Sequence, residues 1–143
     1  MQLLALSLFL LPTVVFARIS SVKPYPGTYH ATRNSKFPLT FNTIVTPTNN
    51  LDFSVAVGLG PAGKATGTAL GEEFIQNFDL VALGHASTGQ GNFTLHVKLP
   101  ASKFEVFGDG KFTLTAIATA AYGASYGTQL EPYRVDFNAV IKA

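Results

Sequence analysis

A chain of 143 residues with no cysteine and no tryptophan has room for one domain and no means to make a disulfide, a thiolate metal site or a cysteine nucleophile. Packing alone must hold it together, and twelve phenylalanines supply the bulk. The formal net charge of +2 hides an asymmetry: Arg18, Lys23, Arg33 and Lys36 precede the first acid, Asp52, while the rest has six bases against eight acids. Four bases spread that thinly, without regularly interleaved aromatics, make a poor nucleic-acid footprint and read as a solvated arm able to touch an acidic surface.

Met1 to Ala17 reads as a signal peptide. Leu3 to Val15 is a mostly apolar run too short for a bilayer span, and Val15-Phe16-Ala17 places small residues where a signal peptidase reads them. Cleavage between Ala17 and Arg18 leaves Arg18 to Ala143 as a single secreted domain. No later stretch has the length and hydropathy of a membrane span.

Arg18 to Lys36, punctuated by Pro24, Pro26 and Gly27, is predicted to be an extended leading segment with room for a short edge strand. Leu39, Phe41, Thr43 and Val45 then alternate with Thr40, Asn42, Ile44 and Thr46, a strand stopped by Pro47. After a turn at Thr48-Asn49-Asn50, Asp52 to Leu59 forms the next strand, with Phe53, Val55, Val57 and Leu59 on one face. Gly60 to Gly67 is a loop. In Ala69 to Phe78, Leu70, Phe74 and Phe78 could share a helical face, but Gly71 and the β context favour a short strand or turn, and Asp79 to Leu83 fits a short buried strand. His85 to Gly91 is a second loop.

The clearest stretch follows. Phe93, Leu95, Val97 and Leu99 alternate with Asn92, Thr94, His96 and Lys98 until Pro100 stops the ladder. Gly108-Asp109-Gly110 turns the chain, and Phe112, Leu114, Ala116 and Ala118 alternate with threonines. The last strand is Tyr133 to Ile141, beginning after Pro132. About seven strands at these spacings predict an all-β protein, an immunoglobulin-like antiparallel β-sandwich.

Several patterns lack the context their chemistry needs. Gly58-Leu59-Gly60-Pro61-Ala62-Gly63 fits G-x-G-x-x-G, with Asp79 downstream, but Pro61, Gly67 and Gly71 stand where a phosphate-binding helix would start. Gly123-Ala124-Ser125-Tyr126-Gly127 fits the nucleophile elbow, yet His30, His85 and His96 all precede Ser125 and no helix follows it. Glu72 and Glu73 would face opposite ways in an extended segment, which argues against a carboxylate pair in one cleft. His85 and His96 have no neighbouring ligand pattern. No catalytic residue, cofactor or metal site is assigned on these grounds. Asn92-Phe93-Thr94 is a glycosylation sequon at a loop-to-strand boundary, with Asn92 on the polar face.

In order and spacing, several blocks resemble the necrosis-inducing secreted protein family of fungal effectors. They are Ala17-Arg18-Ile19-Ser20, Phe41 to Thr46, Ala56 to Gly63, Gly67 to Gly71, and above all Asn92 to Tyr126 with Tyr122-Gly123-Ala124-Ser125-Tyr126. The resemblance implies a secreted virulence effector that binds plant immune receptor-associated kinases and suppresses pattern-triggered defence, sometimes provoking cell death. It implies a non-enzymatic inhibitor, taken here as a monomer without nucleic-acid or membrane partners. To reach cytoplasmic kinase domains it would have to cross into the host cell, where a cysteine-free fold survives reducing conditions. Tyr122 and Tyr126, in a glycine-rich loop, are the candidate partner-binding residues, the alternative being that both pack inward as aromatics at the end of the sandwich. Against this stands a secreted cell-wall or carbohydrate-binding β-sandwich, weakened by the lack of tryptophan.

Overall fold

The computed structural model describes residues 16–87 and 89–142. Eight strands run β1 (Phe16–Val22), β2 (Thr28–Ala31), β3 (Lys36–Thr46), β4 (Asn50–Pro61), β5 (Glu73–Asp79), β6 (Gly91–Lys98), β7 (Gly110–Tyr122) and β8 (Gly127–Ile141). They form a three-stranded sheet, β1-β3-β6, and a five-stranded sheet, β2-β8-β7-β4-β5. The expected all-β sandwich is the architecture found. One pairing departs from the antiparallel rule: β2 runs parallel to β8.

Alternation along the strands drives the two sheets together. Ile19, Phe37, Leu39, Phe41, Phe93, Leu95 and Val97 of the small sheet meet Val55, Val57, Leu59, Phe112, Leu114, Val135 and Phe137 of the large one, all buried. Aromatic contacts thicken one end of this core, with Phe37 and Phe137 centred 4.8 Å apart and Phe104 edge-on to Phe112 at 4.9 Å. Such pairs contribute about 0.5–1.5 kcal/mol each beyond the area they bury. They do here what disulfides do in many small secreted domains.

Two prolines lie inside strands, and the topology explains both. Pro132 sits in β8 opposite Ile117, but β2 borders β8 only from Asn138 to Ile141. Pro38 sits in β3 opposite His96, beyond the end of its pairing with β1 at Phe41. Each missing N–H therefore faces a side without a strand neighbour. The last strand consequently starts at Gly127, not after Pro132.

Two segments differ from the sequence reading. The leading segment contributes two strands, β1 and β2, which brings the count to eight. The predicted strand from Asp79 to Leu83 is a turn, and the strand lies earlier, at Glu73–Asp79. Asp79 Oδ1 accepts the Ala82 N–H at 3.0 Å, and the Asp79 carbonyl accepts that of Leu83 at 3.1 Å. An aspartate that satisfies backbone donors locally competes with the ladder. Leu80 still enters the core, while Val81 and Leu83 are exposed.

The G-x-G-x-x-G run is a packing device. A Cβ on Gly58 would stand 2.4 Å from the Leu70 carbonyl oxygen, and one on Gly71 would stand 2.7 Å from that of Leu59. Bare backbone at both positions lets the β4–β5 loop fold flat over the outer face of the large sheet. There Arg134 donates to the Gly67 carbonyl, and Thr113 and Thr115 are buried.

Candidate functional site

At one end of the sandwich the start of β1, the β3–β4 turn and the β7–β8 hairpin converge. Tyr122 pairs with Gly127 to close the hairpin. The Gly123 N–H donates to the Asn49 carbonyl at 2.9 Å, tying it to the β3–β4 turn. Beneath these loops lies a polar cluster of Arg18, Asp52, Tyr122, Glu131 and Tyr133.

Two β-bulges build that cluster. Register shifts occur between Ile19 and Ser21 in β1 and between Asp52 and Ser54 in β4. An extra residue in a strand shifts the face of what precedes it. Asp52, which alternation put on the polar face, is turned inward and is only 2% exposed, while Phe53 is half-buried. The Asp52 carboxylate accepts the Ile19 N–H at 2.9 Å. The Tyr133 hydroxyl lies 3.0 Å from the Ile19 carbonyl and 2.6 Å from Glu131 Oε2. Both exposed-edge groups of Ile19 are thus met by side chains of the opposite sheet, so β1 is stitched down where an open edge would otherwise recruit other strands.

Charge completes the cluster. Arg18 pairs with Glu131 at 2.6 Å, and its guanidinium lies 4.8 Å from the centre of the Tyr122 ring. Burial pushes the Asp52 carboxyl up to about 6; the Ile19 N–H and Arg18 oppose that shift, and Glu131 adds to it. Burial and the nearby Glu131 carboxylate also hold the Tyr122 and Tyr133 phenols well above their ordinary range. Asp52 Oδ1 and the Tyr122 hydroxyl have no hydrogen-bond partner among the described residues.

The residues singled out from sequence fall as follows. Ala17 and Arg18 lie in β1, Ala17 buried opposite Val45; residues 1–15 of the predicted signal peptide fall outside the described residues. The two hairpin tyrosines separate: Tyr122 packs over Arg18, and Tyr126 projects with 52% of its surface exposed. Tyr126 also has φ of +51°, a left-handed conformation that costs a bulky residue about 1–2 kcal/mol. Ile44, Val45 and Leu130 are exposed at the same end. Asn92 is exposed on β6, an edge strand.

The weaker motifs have structural explanations. Ser125 occupies a strand-turn-strand hairpin. His85 stacks on Phe93 at 4.4 Å, and His96 faces solvent. Glu72 and Glu73 point apart, pairing with Lys64 at 3.4 Å and Lys103 at 2.5 Å. No group of three metal-ligating side chains occurs among the described residues. Asp52 is the residue that sequence reasoning missed, because a one-residue bulge leaves no trace in the alternation.

Comparison with known proteins adds one positive finding. No curated protein matches the chain. A family model described as the Nis1 family matches residues 15–138, from the start of β1 into the last strand. The match spans the hairpin and the whole polar cluster, and by its extent the chain belongs to the Nis1 family.

Proposed function

We propose that the protein is a secreted fungal effector that binds plant immune receptor-associated kinases and inhibits them, suppressing pattern-triggered immunity. Family membership over residues 15–138 carries this reading, joined to the effector resemblance of the sequence blocks from Ala17 to Tyr126. The signal peptide would be removed at Ala17–Arg18, and the mature chain would act as a monomer in the host cytoplasm. Inhibition is by binding and not by chemistry on the target.

The hairpin end is the surface this reading uses. Tyr126 offers a large rigid ring held outward in a strained conformation, and Leu130, Ile44 and Val45 add exposed apolar area around it. Aromatic anchors set in a rigid frame carry most of the energy in protein interfaces. Strain retained at an exposed position is a feature of functional sites.

The test is direct. Purified protein is titrated against the kinase domains of plant immune co-receptors, and their autophosphorylation is followed. Binding with reduced autophosphorylation is the expected result. A folded sample that binds no kinase domain but is retained on plant cell-wall polysaccharide would replace this reading with a carbohydrate-binding one.

A further inference from the structure

At the opposite end of β6 the sequence builds a concave cationic site. The chain leaves β2 at Ala31, turns through Thr32-Arg33-Asn34-Ser35 and enters β3 at Lys36. Ser35 fixes this turn: its hydroxyl accepts the Thr32 N–H at 3.0 Å and lies 3.0 Å from the Leu99 carbonyl. Two backbone bonds clamp the turn to the chain following β6, Leu99 N–H to the Ser35 carbonyl at 3.2 Å and Ala101 N–H to that of Thr32 at 2.8 Å. A depression of about 330 Å³ results, lined by Arg33, Asn34, Ser35, Lys36, Lys98 and Pro100.

Among the described residues, three cations and no acid line it. Lys36 and Lys98 stand directly opposite each other in the β3–β6 register, where like charges repel across about 5 Å between Cβ atoms. Neither takes part in an ion pair among the described residues, whose pairs use Arg18, Lys64 and Lys103. Glu105 lines a neighbouring depression together with Arg33 and Lys142. The rigid turn thus holds the Lys36–Lys98 repulsion in place, and a doubly charged oxyanion would relieve it.

We propose that this pocket binds the phosphoryl group of a phosphorylated peptide segment on the partner, a proposal that rests on the kinase-binding reading. Kinase domains carry such segments in their activation loops. The guanidinium of Arg33 suits bidentate contact with phosphate oxygens, and the two lysines add point charges. Recognition of a phosphorylated motif by clustered cations on a preformed surface is a recurring mode. The pocket accommodates one anion of phosphoryl size, whereas the exposed apolar residues are scattered, Ile44, Val45, Tyr126 and Leu130 around the other end and Val106 just past the Ala101–Lys103 turn. One concave cation cluster without a continuous apolar face beside it favours a single phosphorylated side chain over a membrane surface. Asn92 lies six residues along β6, roughly 20 Å from Lys98, so a glycan there leaves the pocket open.

The experiment measures binding of a fluorescent phosphothreonine peptide from a kinase activation loop, its unphosphorylated counterpart, phosphatidylserine vesicles, and kinase domains with and without phosphatase treatment. Arg33, Lys36 and Lys98 are all exposed, so R33Q/K98Q leaves the core intact. The phosphopeptide is expected to bind at least about tenfold tighter than its counterpart. Inorganic phosphate should compete, and R33Q/K98Q should abolish the preference. K98Q alone is expected to raise Tm by a degree or more in the absence of ligand, since the like-charge pair is gone. Equal affinity for both peptides overturns the proposal, as does binding to vesicles without binding to the phosphopeptide. If the protein takes the phosphopeptide but no kinase domain, the pocket stands and the kinase reading falls. If R33Q/K98Q holds phosphorylated kinase domains as tightly as the original protein, the kinase reading stands and the pocket proposal falls.

Discussion

Asp52 accepts the Ile19 N–H at 2.9 Å across two facing bulges, and this contact joins the edge of one sheet to an interior strand of the other. It is made by a carboxyl group 2% exposed, whose remaining oxygen has no partner among the described residues. The joint has a pH dependence that follows from burial.

Asp52 titrates at about 6 in the fold against 3.8 for the free side chain, so folding favours the protonated acid. Its contribution to stability is fully present below about pH 3.8 and is lost as pH rises through about 6. The loss amounts to about 3 kcal/mol. Urea midpoints measured from pH 4 to 7.5 should fall with rising pH. Asp52→Asn, which keeps an oxygen for the Ile19 N–H, should flatten that decline.

Tyr133→Phe removes the hydroxyl that sits between the Ile19 carbonyl and Glu131. The expected cost is about 1–2 kcal/mol, read as a lower urea midpoint. Hydrogen exchange at Ile19 should accelerate more than at Val97, which lies in the other edge strand of the same sheet. Uniform acceleration would show that Tyr133 does not act on β1 in particular.

Gly58→Ala forces the backbone of Leu70 away from β4. A loss of about 1–3 kcal/mol is expected, together with faster exchange at Thr113 and Thr115 under the displaced loop. A neutral effect would contradict the packing role assigned to the G-x-G-x-x-G run.

Asn92 should carry a glycan when the protein passes through a eukaryotic secretory route. A mass shift removed by endoglycosidase, and absent from Asn92→Gln, is the expected observation. Stability should differ between the two by less than about 0.5 kcal/mol, because Asn92 is exposed.

How much of this was readable from sequence depends on register. β6 and β7 were legible because Phe93 to Leu99 and Phe112 to Ala118 alternate without interruption and their inward positions are buried as expected. β1 was not, because the bulge between Ile19 and Ser21 breaks a seven-residue strand in the middle. β2 has only four residues, too few for a period to show. At the candidate site, Tyr122 and Tyr126 were legible as aromatics of one glycine-rich turn, but not which of them projects, and the polar cluster was not legible at all. Its members come from positions 18, 52, 122, 131 and 133, brought together by strand pairing that no local pattern encodes. Lys36 and Lys98 face one another for the same reason.

The most direct measurement of the proposed mode of action compares kinase-domain binding by the original protein and by Tyr126→Gly. Glycine accepts the φ of +51° without steric cost, so the variant should hold or raise its urea midpoint and any lost affinity is not unfolding. Binding weakened by at least about tenfold, with autophosphorylation restored, is the predicted result. Undiminished binding and inhibition by a folded Tyr126→Gly protein would contradict the hairpin end as the inhibitory surface.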